Sequence, residues 1–535
     1  MNMSLLESLI RLNVVYVLPE IAMGLGLLLV LFLTILGYKK TQAENNALMG
    51  VSFTVVLVAL GLLIGSMLQG HQTGVGTVTQ TAFYGSLVMD KMACLMRGLI
   101  LVGTALTILV SHYYLCRFTK VIGDYYVLIL GAALGGMILA SANDLVTLFV
   151  GLETLSIPSY ILAGYIRKNR ITAEASFKYL IYGSTVTGIL LFALSLLYGL
   201  TGSTAMPEII AQLANLRGFE HPLLAVIVVM VSVSVAFKLS LAPFHMWAPD
   251  VYDGAPTPVT AFLSVVSKTA AIAFAIRIFL VLFHGQNVLW LHIVLGLSVL
   301  SMLFGNLVAL RQTHLKRLLA YSTVAHAGYM LLAFLVSGTA ALDSLVFYLM
   351  TYVFMNIGVF AAVIYFNGLT GRDDIASLAG LVRKCPGLTL FFSICLLSLA
   401  GIPITAGFFA KFFIFQALAA EGPQKFGLIL FALINSTISL YYYIRIIKVM
   451  VVDEPSEVVL AITSEDMHRP GSRPLMAALT VCVVVTLLMG LFANKVYVNV
   501  ISDPVMQLQQ AQRLTSQNQQ LPVVEAVHQK ILALH

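Results

Sequence analysis

Four ionisable side chains stand deep inside apolar stretches, where a charge is costly. Glu153 lies in ANDLVTLFVGLETLSIPSYIL, Lys238 in VVMVSVSVAFKLSLAPFHMW, Lys268 in PVTAFLSVVSKTAAIAFAI and Lys411 in LAGIPITAGFFAKFFIFQAL. A charge at mid-bilayer costs roughly 2.5–3.5 kcal/mol on insertion scales, so such residues default to transport or relay roles. Lys178, in AEASFKYLIYGS, lies one turn inside its stretch, where snorkelling to the interface explains it equally well. Static ion pairs between helices are the competing explanation for the whole set. The balance of charge argues against it, because one carboxylate faces four amines. A dry interior disfavours an ammonium, and a lysine can release and regain its proton where an arginine cannot. The chemistry these residue types suit is stepwise proton transfer.

Two of these stretches are interrupted where the charge is handled. FKLSLAPFHMWAPD puts Pro243 five residues after Lys238, and SLAGIPITAGFFAK puts Gly401, Pro403 and Gly407 ahead of Lys411. Proline removes a backbone donor, and freed backbone inside a membrane is tolerated only where protein or water satisfies it. Two breaks in corresponding places are the mark of internal repeats with an ion path at their interface. The shared S-L-A of Ser240–Ala242 and Ser398–Ala400 supports two five-span units, and an odd span number makes the copies inverted. Polar residues able to bridge the charges are His245, His326, Tyr321, Ser322 and Thr323. A lone histidine in an apolar helix is more often a core residue than a relay. His245 gains weight from the break beside Lys238, and His326 from the polar run YSTVAH, which can order water. Asp90, Lys91, Arg97 and Arg277 lie nearer span ends and read as ion pairs or anchors.

The elements that carry these residues follow from composition. The 535 residues are 59% hydrophobic and 10% charged, against about 25% charged in water-soluble chains. That excludes an ordinary cytosolic enzyme, a disordered chain and a nucleic-acid binder. The five cysteines are far apart, without C-x-x-C, which leaves no local zinc or iron–sulfur site and makes them core residues. Fourteen apolar stretches reach spanning length: 15–37, 48–68, 85–112, 124–142, 144–166, 175–201, 221–246, 255–283, 287–310, 314–336, 342–366, 386–419, 425–450 and 475–497. No cleavable signal peptide is expected ahead of them. The alternating pattern of a barrel strand is absent, so the fold class is an all-α membrane protein with about fourteen helices.

The expected organisation is a three-helix segment over 1–123 and a first five-helix repeat over 124–283 (spans 4–8). An inverted repeat over 284–450 (spans 9–13), a loop and last span over 451–500, and a polar tail over 501–535 complete it. Seventeen lysines and arginines fall in one set of loops, six on the opposite face and seven within spans. The positive-inside bias puts the richer loops in the cytoplasm and both termini outside.

The motifs carry a resemblance. FKLSLAPFHMWAPDVYDGAPTPVTAF (237–262), LFVGLETLSIPSYILAGY (148–165), KRLLAYSTVAHAGY (316–329) and LSLAGIPITAGFFAK (397–411) resemble the antiporter-like membrane subunits of respiratory complex I. The wording is nearer the N type, subunit 2 in organelles, than the L or M types. The likeness runs from about residue 15 to 497 and leaves out the tail. It implies a proton-translocating subunit of NADH:quinone oxidoreductase, with no cofactor in this chain. Flavin, iron–sulfur clusters and quinone would sit in partner subunits, and the partners would include further antiporter-like subunits and the lipid bilayer. It implies that Glu153 and Lys238 form an ion pair whose making and breaking tunes the lysine. Lys178 corresponds to the lysine of the sixth helix, Lys268 to the middle relay residue, and Lys411 to the terminal lysine. The membrane would be a bacterial cytoplasmic membrane, with an organellar or thylakoid membrane as the alternative.

Other readings use the same residues. A multi-subunit cation/proton antiporter without redox partners shares the fold, and a membrane hydrogenase or ferredoxin-driven relative of complex I is a closer variant. A scaffold with static charges would tolerate joint neutralisation of Glu153 and Lys238.

Overall fold

With no water in the bilayer core, a spanning chain must satisfy its backbone internally, and here it does so almost wholly in helices. The computed structural model describes residues 13–37, 41–72, 80–118, 122–166, 170–214, 221–463 and 471–502. The polar tail beyond 502 lies outside the described residues. So do Lys39, Lys40, Lys120, Arg167, Lys168 and Arg469 of the basic loops, and Arg11, Arg217, Arg513 and Lys530 of the opposite face.

In chain order the helices are α1 (Leu18–Leu36), α2 (Gln42–Gln72), α3 (Lys91–Phe118), α4 (Gly123–Ser141), α5 (Leu145–Ala163) and α6 (Arg170–Thr201). A short α7 (Met206–Leu213) precedes α8 (Pro222–Lys238) and α9 (Trp247–Gly254). Then come α10 (Thr257–Leu282), α11 (Asn287–Ala309), α12 (Leu315–Leu335) and α13 (Thr339–Thr370). The last are α14 (Pro386–Ala400), α15 (Ala406–Ala420), α16 (Phe426–Val451) and α17 (Ser472–Leu491). Among the described residues, twelve helices are long and apolar enough to cross a membrane, or thirteen with the bent pair Ala376–Arg383 and Pro386–Ala400 counted as one. Over 386–419 the chain forms the two pieces α14 and α15, and over 221–246 it forms α8 followed by a non-helical stretch that leads into α9.

The third span starts later than expected. Residues 85–89 belong to an antiparallel hairpin of β1 (Gln80–Ala82) and β2 (Leu87–Met89), turned at Gly85 with φ of 89°. Asp90 then accepts from the Ala93 N–H at 2.6 Å and starts α3. The last span also ends earlier, at Leu491, with the short helix Ala493–Val496 after it.

Small residues set the closest contacts. A Cβ on Gly135 of α4 would lie 2.4 Å from the Leu155 nitrogen of α5, and one on Gly151 of α5 would lie 2.8 Å from the Leu139 nitrogen. Paired glycines let the two backbones meet, as small residues do between membrane helices. α10, α12 and α13 form the buried centre. Peripheral helices show large apolar side chains to the outside, among them Phe32 of α1, Phe177 of α6 and Leu430 of α16. Such faces suit lipid or neighbouring membrane subunits. Of the five cysteines, Cys385, Cys395 and Cys482 are buried and Cys94 and Cys116 are half-buried, all as free thiols.

Of the end-of-span charges, Asp90, Arg97 and Arg277 form ion pairs. Arg97 of α3 pairs with Glu20 of α1 at 2.6 Å and also donates to the Tyr16 carbonyl at 3.2 Å. Arg277 of α10 pairs with Asp90 at 2.7 Å and donates to the Ala140 carbonyl at 3.1 Å. The first pair fastens α1 to α3 and the second fastens α10 to the start of α3. Removing one member of a buried pair strands the other charge, at a cost of about 3–5 kcal/mol. Arg97→Ala should therefore lower the thermal midpoint of the detergent-purified protein sharply. The double variant Arg97→Met/Glu20→Leu should recover most of that loss. Equal midpoints for the wild type and Arg97→Ala would refute this anchoring role.

Candidate functional site

Lys238 is the last residue of α8, and the helix stops there rather than at Pro243. Leu239 to Met246 form the break, with Ser240 at φ of 57° and a cis bond before Pro243. The break satisfies its own backbone. The Leu241 N–H reaches the Ala236 carbonyl at 2.8 Å, and the Ala242 N–H reaches Ser301 Oγ at 2.9 Å. The Trp247 indole donates to the Phe237 carbonyl at 3.1 Å. Lys238 is buried, donates to Ser156 Oγ of α5 at 2.5 Å, and lies 5.7 Å from the Tyr160 ring centroid.

Lys238 and Glu153 do not form the expected ion pair. Glu153 turns outward and accepts from Thr187 Oγ1 of α6 at 2.9 Å. It lines a cleft of about 320 Å³ between α5 and α6, together with Ile157, Tyr160 and Ser184. Ser156, one turn along α5 from Glu153, takes the lysine's hydrogen bond instead.

The second break differs in detail. α14 ends at Ala400, Gly401 turns the chain at φ of 86°, and the Gly401 and Ile402 N–H groups both return to the Leu397 carbonyl at 3.1 Å. Pro403 lies in the break. Gly407 opens α15 with no room for a side chain, since a Cβ there would lie 1.8 Å from the Ser398 carbonyl oxygen. Lys411 reaches back to the freed end of α14, donating to the Leu399 carbonyl at 3.3 Å, the Ala400 carbonyl at 3.0 Å and Ser436 Oγ at 3.0 Å. A cation at a helix C-terminus is favoured both by the orphan carbonyls and by the helix dipole. The shared S-L-A proves unequal in conformation. Ser398–Ala400 finish a helix, whereas Ser240–Ala242 form the break itself.

Lys268 sits midway, buried in α10 directly after a π-helical stretch, Leu263–Ser267, with a second over Ile276–Leu282. π-turns are rare and concentrate at functional positions. Its amine donates to the Thr323 carbonyl at 2.8 Å. From there a hydroxyl-rich centre leads to Lys411. Tyr352 donates to Thr323 Oγ1 at 3.2 Å, and Asn356 donates to Tyr352 and to Ser264, each at 3.0 Å. His326 is joined through Nδ1 to Tyr348 at 2.6 Å and through Nε2 to Tyr443 at 3.3 Å, and Ser322 is hydrogen-bonded to Tyr443. Tyr442 donates to Asn306 Oδ1 at 3.1 Å and Asn306 donates to Tyr329 at 3.4 Å. The Tyr329 ring lies 5.2 Å from the Lys411 amine.

Ser322, Thr323 and His326 thus belong to the expected centre. His245 and Tyr321 do not join these hydrogen bonds. The His245 ring packs 6.2 Å from Tyr321 and 6.5 Å from Phe304, away from Lys238, and its Nδ1 has no hydrogen-bond partner. Lys178 stands apart too. It is about a third exposed and paired with Asp250 at 2.7 Å and Glu174 at 2.9 Å, while Arg317 shares Asp250 at 3.2 Å. Sequence reasoning missed the residues that do the bridging, namely Ser156, Asn306, Tyr329, Tyr348, Tyr352 and Tyr443. For Tyr348, Tyr352 and Tyr443 the signal was the density of tyrosine and asparagine in YLMTYVFMN (348–356) and YYY (441–443); Ser156, Asn306 and Tyr329 stand outside such runs.

The arrangement is three buried amines held by hydroxyls and carbonyls, two of them at helix breaks; a fourth buried lysine, Lys316 at the start of α12, differs in pairing with Asp373 at 3.7 Å. The profile of the NADH:quinone oxidoreductase/Mrp antiporter transmembrane family matches residues 142–439. NAD(P)H-quinone oxidoreductase subunit 2 of Synechocystis is 40% identical over 97% of this chain and 98% of its own. The subunit 2 of Picosynechococcus is 44% identical over 80% and 82%, and that of the organellar chromatophore of Paulinella chromatophora is 40% identical over 91% and 93%. Among solved structures, respiratory complex I from Thermus thermophilus with bound aureothin holds a chain 30% identical to this one. It superposes with a TM-score of 0.73 over 90% of this chain and 99% of its own. A chain of the Mrp complex from Dietzia superposes with a TM-score of 0.78 over 93% and 98%, but at 22% identity, a likeness of fold alone.

A hydrogen bond to a charged group is worth about 1.5–3 kcal/mol, so Ser156→Ala should lower the thermal midpoint of the detergent-purified protein. Ser156→Thr, which keeps the hydroxyl, should stay near normal. Thermal unfolding of the detergent-purified variants measures both, and equal midpoints for Ala and Thr would show that the bond is idle.

Proposed function

Since the chain belongs to the NADH:quinone oxidoreductase/Mrp antiporter family of transmembrane subunits, we propose that it is the antiporter-like, proton-moving subunit of an NAD(P)H-quinone oxidoreductase, of the subunit 2 type. The observation that carries this reading is the placing of three lysines, Lys238, Lys268 and Lys411, buried within the spans, with separate clusters of buried hydroxyls, amides and His326 between the last two. The 40% identity to the Synechocystis subunit 2 over nearly all of both chains favours this over an antiporter without redox partners.

In this proposal protons enter from the cytoplasm and reach the Lys238 and Lys268 region. They pass the hydroxyls of Thr323 and Tyr352 and the ring of His326, and leave by way of Lys411. Movement of Glu153 relative to Lys238 alters how firmly the amine keeps its proton, and Ser156 holds the amine while the two are apart. Lys178 acts as a positioning group, gripping α9 through Asp250. A change of one unit in proton affinity is about 1.4 kcal/mol, and moving one charge across the membrane costs ~2.3 kcal/mol per 100 mV. Swings of a few units are therefore the right size.

The driving energy comes from redox chemistry in partner subunits, which carry the flavin, iron–sulfur clusters and quinone site and are coupled to this chain through shared conformational states. The richer basic loops face the cytoplasm and both termini face outside. Residues 124–283 and 284–450 act as two inverted halves, each with one broken helix.

Lys238→Ala should abolish proton pumping while the complex still assembles. Quinone-coupled proton translocation in vesicles, with assembly followed by native electrophoresis, checks both. Full pumping by an assembled Lys238→Ala complex would overturn the proposal.

A further inference from the structure

Among the described residues two carboxylates are buried, Glu20 and Asp343. Glu20 is locked to Arg97. Asp343 has no such partner. It is 4% exposed, forms no ion pair, and its Oδ1 has no hydrogen bond. It caps nothing either, although it stands near the start of α13, since no backbone N–H donates to it. A charged group removed from water without a partner is expensive, and a fold keeps one only for a reason. A carboxyl free of fixed partners can take up and release a proton without breaking an ion pair.

The position of Asp343 supplies the reason. Ser344, its neighbour, donates to the Phe413 carbonyl at 3.2 Å, and Phe413 lies two residues beyond Lys411 on α15. The end of α15 meets the start of α13, where the Ser337 N–H donates to Glu421 at 2.6 Å. Asp343 therefore stands beside α15, between the level of Lys411 and that end of the bundle. At 1.5 Å of rise per residue it is about 6 Å along α13 from the first residue of the helix. Tyr497 closes the same corner. Its ring packs 4.3 Å from Phe413, and its hydroxyl donates at 3.4 Å to the Ala340 carbonyl, one turn before Asp343.

We propose that Asp343 is the exit-side proton carrier of this chain, the group that takes the proton given up by Lys411 and hands it to the outer water. This rests on the relay reading above. The two groups are not in contact, so the proton passes through water between them: an N–H bond of the Lys411 ammonium breaks as an O–H bond of the first water forms, the last water gives up a proton to the Asp343 carboxylate, and the amine is left neutral. Release outward then restores the carboxylate.

The test uses the assembled complex in vesicles, with Asp343→Asn, Asp343→Glu and Lys411→Ala side by side. Asn keeps the volume and removes the titrating group, so pumping should fall to the Lys411→Ala level. Glu should restore most of it, and Asp343→Asn/Lys411→Ala should pump no worse than Lys411→Ala. Redox-induced infrared difference spectra add a readout that a merely structural residue would not move. A carboxyl C=O band should vanish in Asn and shift in Glu. Wild-type pumping in assembled Asp343→Asn, or an infrared spectrum unchanged in Glu, overturns the proposal. If Asn does not assemble, the Glu spectrum alone decides. Full pumping in Lys411→Ala would instead bring down the relay on which the proposal rests.

Discussion

A helix interrupted inside a bilayer leaves carbonyls and N–H groups that lipid cannot satisfy, and the site is organised by what satisfies them here. At the end of α14 the partner is Lys411 itself, bonded to the Leu399 and Ala400 carbonyls. At the end of α8 the partners are the Trp247 indole and Ser301, which leaves Lys238 free to bond Ser156. At α14 the break and the charge account for each other. A broken helix offers an electronegative end that makes a buried amine tolerable, and the amine makes the break tolerable. Small residues such as Gly407 then let the two half-helices approach closely enough for the exchange.

Around these ends the structure separates two uses of charge. Arg97 with Glu20, and Arg277 with Asp90, are closed pairs that fasten helices. Lys238, Lys268 and Lys411 are held by neutral oxygen atoms instead. A carboxylate partner would lower the energy of the ammonium and hold its proton in place, whereas hydroxyls and carbonyls stabilise it less and leave it exchangeable. Glu153 accepts from Thr187 and lines the cleft between α5 and α6 instead of bonding the lysine.

Much of this could be read from the sequence because membrane burial is a one-dimensional signal. Apolar runs give helices, and a charge inside a run stands out. Lys238, Lys268, Lys411 and the two breaks were visible for that reason. What the sequence hid was pairing in three dimensions. The Glu153–Lys238 contact fails because one turn of α5 places Ser156 nearer the amine. His245 lies close to Lys238 along the chain, yet the left-handed turn at Ser240 carries it to Phe304 and Tyr321. The hairpin over 80–89 was lost inside an apolar run because its turn residues are few. The tyrosines of α13 and α16 read as ordinary core, since a hydroxyl in an apolar run signals nothing until its partner is known.

The two π-helical stretches in α10 bracket the short segment Lys268–Ala275. Each adds a residue to a turn, so the direction in which Lys268 points is set by a count of residues as much as by their identities. An α-helix turns about 100° per residue, from 3.6 residues per turn. Losing or gaining one residue between Thr257 and Lys268 would swing the amine off the Thr323 carbonyl, even with every side chain around it preserved. In this helix, length is under tighter constraint than composition: substitutions can be absorbed by repacking, but an insertion or deletion of one residue cannot.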